Sequence, residues 1–208
     1  MDQNTPEWRL ARAAKITASR MSDVIAFAKK DGKPLKARTD YIGEIVAELL
    51  TGEPRQQVRA APLDWGHDVE AAARAAYEAE TGVIVQYGGD VAFITHPDLP
   101  YIGCSPDGLI GTDGQHQIKC PQNPAVHIET LQSGMPDEHM PQVQGEMLVT
   151  GRAWSDFVSY DPRMPPNLRL YIQRIPRDEV YIAMLTKQCQ SLWDEVQAVM
   201  AKLQKIAA

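Results

Sequence analysis

The chain has 208 residues, a hydrophobic fraction of 44% and a formal net charge of −6, values that fit a folded globular protein and argue against disorder. No apolar run approaches the ~20 residues of a membrane-spanning helix, and the polar first residues lack the pattern of a secretory signal. Its three cysteines fit neither a zinc clamp nor an iron–sulfur site, so we expect reduced thiols and a cytoplasmic location. The length of the chain predicts a single domain over residues 1–208.

Charge is distributed unevenly along the sequence. Residues 9–38 contain nine basic and two acidic side chains, so the acidic excess lies in the rest of the chain. A basic segment of this kind suits binding to a phosphate backbone, while the lysines between positions 29 and 36 fit a solvated loop equally well.

The first 81 residues are predicted to be mainly helical. Residues 5–28 form two helical pieces, and Thr17 or Ser19 is expected to cap the second. Asp40 is expected to cap an amphipathic helix that ends at Gly52. An alanine-rich helix over residues 67–81 follows.

The remaining residues alternate strands and helices. Strands are predicted at 83–87, 91–95, 109–110, 115–120, 155–160 and 168–174, and helices at 124–131, 137–149 and 178–206. This order predicts an α/β (α+β) fold in which a central mixed β-sheet is flanked by helices.

Residues 105–119 carry the strongest functional signal. A Pro-Asp pair ends one strand, a glycine-rich turn follows, and the next strand presents Gln117 and Lys119 on one face with Ile118 on the other. A hairpin of this form brings Asp107, Gln117 and Lys119 together. With glutamate at position 117 this pattern would be the metal site of a PD-(D/E)xK nuclease, but the chain has an amide there.

Phosphodiester hydrolysis explains why these residue types would be grouped. Carboxylate-bound Mg²⁺, for which Mn²⁺ can substitute, neutralises phosphate and acidifies bound water. Asp107, position 117 and the carbonyl of Ile118 are its candidate ligands, and Lys119 would orient water or stabilise developing charge. Two structural alternatives remain, because Pro-Asp-Gly is also a common turn and Lys119 also fits an edge strand.

Several separated motifs resemble one nuclease family. They are Trp8–Arg12 with Ile16–Ser19, Trp65-Gly66 with Glu70, Cys104–Leu109, Ile118–Pro121, Gln142–Gln144 and Tyr160–Met164. Over this span the chain resembles the phage lambda exonuclease and YqaJ-type viral recombinase (alkaline exonuclease) family.

The resemblance implies a restriction-endonuclease-like core and a metal-dependent exonuclease. Such an enzyme digests one strand of duplex DNA from a phosphorylated 5′ end, releases 5′-mononucleotides and leaves a 3′ single strand. The resemblance also implies a ring-shaped homotrimer, a single-strand annealing partner and a phage or prophage origin in a bacterial cytoplasm.

Further site residues follow from the resemblance. Glu70 would help to position metal-bound water or a second ion, and Gln142 would lie beside the catalytic groups. The residues that resemble a 5′-phosphate pocket are Arg12, Ser19 and Ser105, and those that would contact DNA are Leu63, Thr17 and His139. Leu63 resembles an apolar wedge between the strands, although a buried core leucine fits it almost as well.

Gln117 is the main departure from the family pattern. It keeps the shape of glutamate but loses a charge, and neither Asp113 nor His116 substitutes well. We interpret it as either a deliberate inactivating substitution or a natural departure, and we favour the first because the residues around it are intact. The chain is then expected to bind DNA ends but to cleave slowly. Two alternatives stay open: a non-catalytic DNA-end-binding protein and a sequence-specific endonuclease on the same core.

Overall fold

The computed structural model describes residues 1–55 and 61–207, except for the side chains of residues 61–64, 66–68 and 207. The described helices are α1 (Pro6–Arg12), α2 (Met21–Val24), α3 (Lys36–Thr51), α4 (Ala61–Thr81), α5 (Pro124–Ser133), α6 (Met140–Thr150) and α7 (Glu179–Ala207). The described strands are β1 (Ile16–Thr17), β2 (Val85–Gln86), β3 (Ile94–Thr95), β4 (Ile102–Cys104), β5 (Gly108–Ile110), β6 (Gly114–Lys119), β7 (Trp154–Tyr160) and β8 (Leu170–Pro176). Within this part of the chain, no helix is long and apolar enough to cross a membrane.

The strands form two sheets. The larger sheet has the order β2-β5-β6-β7-β8, in which β6 and β7 are parallel and the other pairs antiparallel. The smaller sheet has the order β1-β4-β3, with β1 parallel to β4. The mixed α+β class predicted from the sequence is therefore confirmed.

Helices cover both faces of the larger sheet. Phe157 on β7 belongs to a core cluster with residues of α3, α6 and α7, whereas Val158 belongs to a second cluster with Ala73 and Tyr77 of α4. Neighbouring residues of a strand point to opposite faces. Because β6 pairs with β7 in the register Gln117 to Phe157, Gln117 lies on the α6 face of the sheet.

Three local predictions differ from the structure. Helix α3 begins at Lys36 rather than at Asp40, because the first-turn Lys36 Nζ bonds Asp40 Oδ1 at 2.7 Å, four residues on. Neither Thr17 nor Ser19 caps α2, since a 3₁₀ turn over Ala18–Arg20 precedes that helix. Strand β1 was not predicted, because two residues are too few to show a period.

Gly145 lets α6 approach the segment that precedes α2. A Cβ at this position would lie 2.6 Å from Met21 Cγ and 3.6 Å from the Cα of Ala18. We expect Gly145→Ala to lower the free energy of unfolding by about 1–2 kcal/mol, because overpacking outweighs the gain in helix propensity. Urea denaturation followed by circular dichroism measures this change.

Gly43 in the middle of α3 is the matched control, because a Cβ there would meet nothing within 4 Å. Gly43→Ala is expected to raise the free energy of unfolding by about 0.5–1 kcal/mol. Equal stabilisation by both alanines would contradict the close approach of α6.

Candidate active site

The β5–β6 hairpin brings the central motif together. The antiparallel register pairs Gly108 with His116, which places Asp107 beside the following residues of β6. Asp107 Oδ2 accepts hydrogen bonds from the backbone N–H of Ile118 at 2.7 Å and from Gln117 Nε2 at 2.5 Å. Asp107 is thus fixed by the strand that carries Gln117 and Lys119.

Helix α6 completes this arrangement from the same face of the sheet. Lys119 Nζ donates to Gln142 Oε1 at 3.0 Å, and Gln142 Nε2 donates to Gln117 Oε1 at 2.9 Å. The structure therefore joins Asp107, Gln117, Lys119 and Gln142 in one hydrogen-bonded network.

Glu146 also belongs to this network, and the sequence analysis missed it. It lies one helical turn after Gln142, whose Nε2 donates to Glu146 Oε1 at 2.9 Å. Glu146 is only 1% exposed, and its Oε2 has no hydrogen-bond partner among the described residues. The four-residue spacing from Gln142 was the available signal, because residues i and i+4 share one face of a helix.

The two charged alternatives to Gln117 lie elsewhere. Asp113 is exposed in the turn between the strands. His116 is buried on the opposite face, where its ring meets that of Tyr77 at a centroid distance of 5.1 Å. Burial lowers the pKa of His116 to about 4, so it is neutral near pH 7.

The network contains two carboxyl groups and one ammonium group. Burial, reinforced by the charge of Glu70, raises the pKa of Asp107 to about 7, and Lys119 opposes the shift. Burial also raises the pKa of Glu146 well above its ordinary value, with Asp107 adding to the effect. Two carboxyl groups beside one ammonium group form an environment that a cation would stabilise.

Two openings reach the network. Asp107 and Glu70 line a cavity of about 300 Å³. Glu70 pairs with Arg74 at 3.6 Å, and among the described residues it has no hydrogen bond to the network. Lys119, Gln142 and Ser19 line a second cavity of about 420 Å³. The groups predicted to act on a phosphodiester bond therefore lie between two accessible spaces.

A separate pocket is built around Arg12. Its Nη1 donates to Ser105 Oγ at 2.8 Å and its Nη2 to Ser19 Oγ at 3.3 Å. The guanidinium lies 4.3 Å from the ring centre of Trp8, whose Nε1 donates to Ser105 Oγ at 3.0 Å. Burial lowers the pKa of Arg12. The structure thus brings together the three residues that resemble a 5′-phosphate pocket, and it adds Trp8.

Two other arginines of the basic segment, Arg20 and Arg38, form ion pairs with carboxylates of the chain. Arg38 is fully buried and its Nη2 donates to Glu195 Oε1 at 2.5 Å, while Arg20 pairs with Asp23 and Glu44. By contrast, the described part of the chain contains no ion pair of Arg12 with a carboxylate. The Arg12 guanidinium is therefore held by hydroxyl groups and an aromatic ring rather than by an ion pair.

The remaining predicted DNA contacts differ in exposure. Thr17 is buried, and its hydroxyl lies 3.3 Å from that of Ser19, which it helps to position. His139 stacks on Phe157 at a centroid distance of 5.3 Å and lines the cavity of Lys119. The side chain of Leu63 lies outside the described residues.

The network offers oxygen ligands of the kind that Mg²⁺ prefers. They are a carboxylate of Asp107, the Gln117 side chain, the main-chain carbonyl of Ile118 and the unpartnered Oε2 of Glu146. The described residues contain no cluster of three or more His, Cys, Asp or Glu side chains able to hold a metal. A cation here would therefore depend on amide, carbonyl and water ligands beside its carboxylates, and this donor set fits Mg²⁺.

The mixed sheet and the hairpin that joins Asp107 to Gln117 and Lys119 have the arrangement of a nuclease core. The model of the YqaJ-like viral recombinase domain matches residues 7–153, and the chain belongs to this family. It is a nuclease of the phage recombination type.

Solved structures agree with this assignment. LHK-Exo in complex with dAMP is 40% identical, with 98% of each chain covered and a TM-score of 0.87. Another structure of this alkaline exonuclease, from Laribacter hongkongensis, is 39% identical over 98% of each chain with the same TM-score. A phage-related exonuclease from Haemophilus somnus, 14% identical over 91% of this chain and 96% of that one, shares the fold with a TM-score of 0.73. A search of curated proteins found no match.

Proposed function

We propose that the chain is a Mg²⁺-dependent 5′-to-3′ exonuclease of duplex DNA. It binds a phosphorylated 5′ end, releases 5′-mononucleotides and leaves a 3′ single strand. One observation carries this proposal: the Arg12 pocket and the Asp107 network meet on the same short segment. Ser105 belongs to the first through Arg12, and Asp107 belongs to the second through Ile118.

The closeness of Ser105 and Asp107 along the chain supports removal of one nucleotide at a time. Two residues of extended chain span at most about 7 Å, so Ser105 and Asp107 are near neighbours. A terminal phosphate held at Ser105 and Arg12 would place the first phosphodiester bond, rather than a distant one, beside Asp107. The dAMP in the LHK-Exo complex is a 5′-mononucleotide, which supports the same product here.

The residues of the chain divide the chemical work. Asp107, Gln117 and the Ile118 carbonyl would hold Mg²⁺, and Glu70 would assist across the neighbouring cavity. When bound, Mg²⁺ neutralises the phosphate and lowers the pKa of bound water. Lys119 orients the attacking water and stabilises the charge that develops on the phosphate. Gln142 holds the Lys119 ammonium group through its hydrogen bond.

Assembly and partners complete the proposal. Family membership supports a ring-shaped homotrimer around duplex DNA, a single-strand annealing protein as its partner and action in a bacterial cytoplasm. Mn²⁺ would replace Mg²⁺, because both accept carboxylate, carbonyl and water ligands.

We expect linear duplex with 5′-phosphate ends to be digested to mononucleotides in Mg²⁺. Chelation of the metal should abolish digestion, and closed circular duplex should survive, because it has no end for the Arg12 pocket. Gel electrophoresis and mass spectrometry of the products measure both results. Cleavage of the circle would instead indicate an endonuclease, and end binding without digestion would indicate a non-catalytic binding protein.

A further inference from the structure

Glu146 is a buried carboxylate with too few partners. It is 1% exposed, Gln142 Nε2 donates to its Oε1 at 2.9 Å, and its Oε2 has no partner in the described structure. A buried carboxyl oxygen without a partner is destabilising unless another group satisfies it. The environment of Glu146 is therefore incomplete as it stands.

Glu146 lies beside the side chain of Gln117. Gln142 Nε2 donates to both Gln117 Oε1 and Glu146 Oε1, each at 2.9 Å, so these two oxygens lie on either side of one nitrogen. Glu146 thus approaches the network from α6, beside the side chain that the nuclease pattern would make acidic. The charges of Asp107 and Lys119 both influence the pKa of Glu146, as expected for neighbours within one site.

We propose that Glu146 supplies the second carboxylate of the divalent-cation site, in place of the acid that Gln117 lacks. Asp107 and Glu146 together give the site the two carboxylates that the nuclease pattern draws from Asp107 and position 117. Mg²⁺ is commonly held by one or two carboxylates with water completing its shell. This role for Glu146 rests on the metal-dependent hydrolysis proposed above.

With the second carboxylate on Glu146 rather than at position 117, Gln117 has a positioning role. Its NH₂ group donates to Asp107, and its oxygen accepts from Gln142, so it orients both neighbours without adding charge. The chain as it stands is then a competent nuclease. This reverses the hypothesis drawn from the sequence, in which Gln117 marks a slow or inactive enzyme.

Mn²⁺ binding to the DNA-free protein tests the assignment by calorimetry. The variants are Glu146→Gln, Gln117→Glu and the double variant that exchanges the two side chains. Glu146→Gln is expected to weaken Mn²⁺ affinity by at least about tenfold. The double variant is expected to recover affinity, because the acid returns to the neighbouring position. The rate of duplex digestion should likewise fall in Glu146→Gln and recover in the double variant.

The isosteric amide keeps the fold, because it removes a buried charge without changing shape, and thermal unfolding verifies this. Glu138→Gln is the matched control, since Glu138 lines the cavity of Lys119 and its side chain is 80% exposed. It should leave Mn²⁺ affinity unchanged.

The outcomes separate this role from the proposed function. Unchanged Mn²⁺ affinity in Glu146→Gln overturns the role of Glu146, and duplex digestion that persists in that variant leaves the exonuclease standing. A clear loss of affinity in Glu146→Gln supports the role. If the unsubstituted chain then digests no duplex, the proposed function fails although the cation site remains.

Discussion

Asp107→Asn is expected to lower the rate of duplex digestion by at least about 100-fold. Loss of a group that only supports a metal ligand commonly costs 10- to 100-fold, and Asp107 is the carboxylate at the centre of the network. The amide oxygen of asparagine can still accept the hydrogen bond that Ile118 N–H makes at 2.7 Å. The hairpin should therefore keep its shape while the site loses a charge.

Single-turnover digestion of an end-labelled duplex measures this effect, with Mn²⁺ calorimetry as a second readout. Asp113→Asn is the matched control, because Asp113 belongs to the same hairpin but is exposed in its turn. The control should digest DNA at the unsubstituted rate. An Asp107→Asn protein that folds, binds DNA ends and digests at that rate would contradict the assigned network.

The second large effect is expected from Arg12→Ala. Hydrogen bonds to charged groups contribute roughly 1.5–3 kcal/mol, so kcat/KM on 5′-phosphorylated duplex should fall by roughly 10- to 100-fold. Duplex with 5′-hydroxyl ends offers no terminal phosphate to Arg12, so its digestion should change little. The selective loss separates recognition of the terminal phosphate from a general loss of DNA affinity.

Two further variants sharpen this test. Arg12→Lys keeps the charge but loses the planar fork that donates to both Ser105 and Ser19. Its kcat/KM on 5′-phosphorylated duplex should lie between those of the unsubstituted chain and Arg12→Ala. Lys30→Ala removes one exposed positive charge from the same basic segment and should affect both kinds of end equally and weakly. Equal losses on both kinds of end in Arg12→Ala would show that Arg12 does not recognise the terminal phosphate.

The hairpin was predictable because its information is local. Asp107, Gln117 and Lys119 lie within 13 residues, and the alternation of side chains along a strand decides which of them share a face. The pocket around Arg12 was a different case. Ser105 meets Arg12 across 93 residues of sequence, and only the family resemblance placed them together.

Glu146 escaped prediction for a physical reason. Its contact with the network depends on α6 packing over β6, and one helix in isolation does not reveal which strand it covers. In the sequence, the titratable side chains nearest before position 117 are Asp113 and His116 of the hairpin, whereas Glu146 lies on a later helix. The error at α3 was similar, because Asp40 has the chemistry of a cap but is bonded by Lys36 inside the helix.

The parallel pairing of β6 and β7 has a consequence for biogenesis. Parallel neighbours need a crossover connection, and here that connection contains α5 and α6, which bring Gln142 and Glu146 back to the hairpin. Long-range contacts of this type are slow to form in folding. A nascent chain that has completed only the hairpin would therefore lack the α6 part of the proposed site, and we expect it to leave nearby DNA intact until α6 docks.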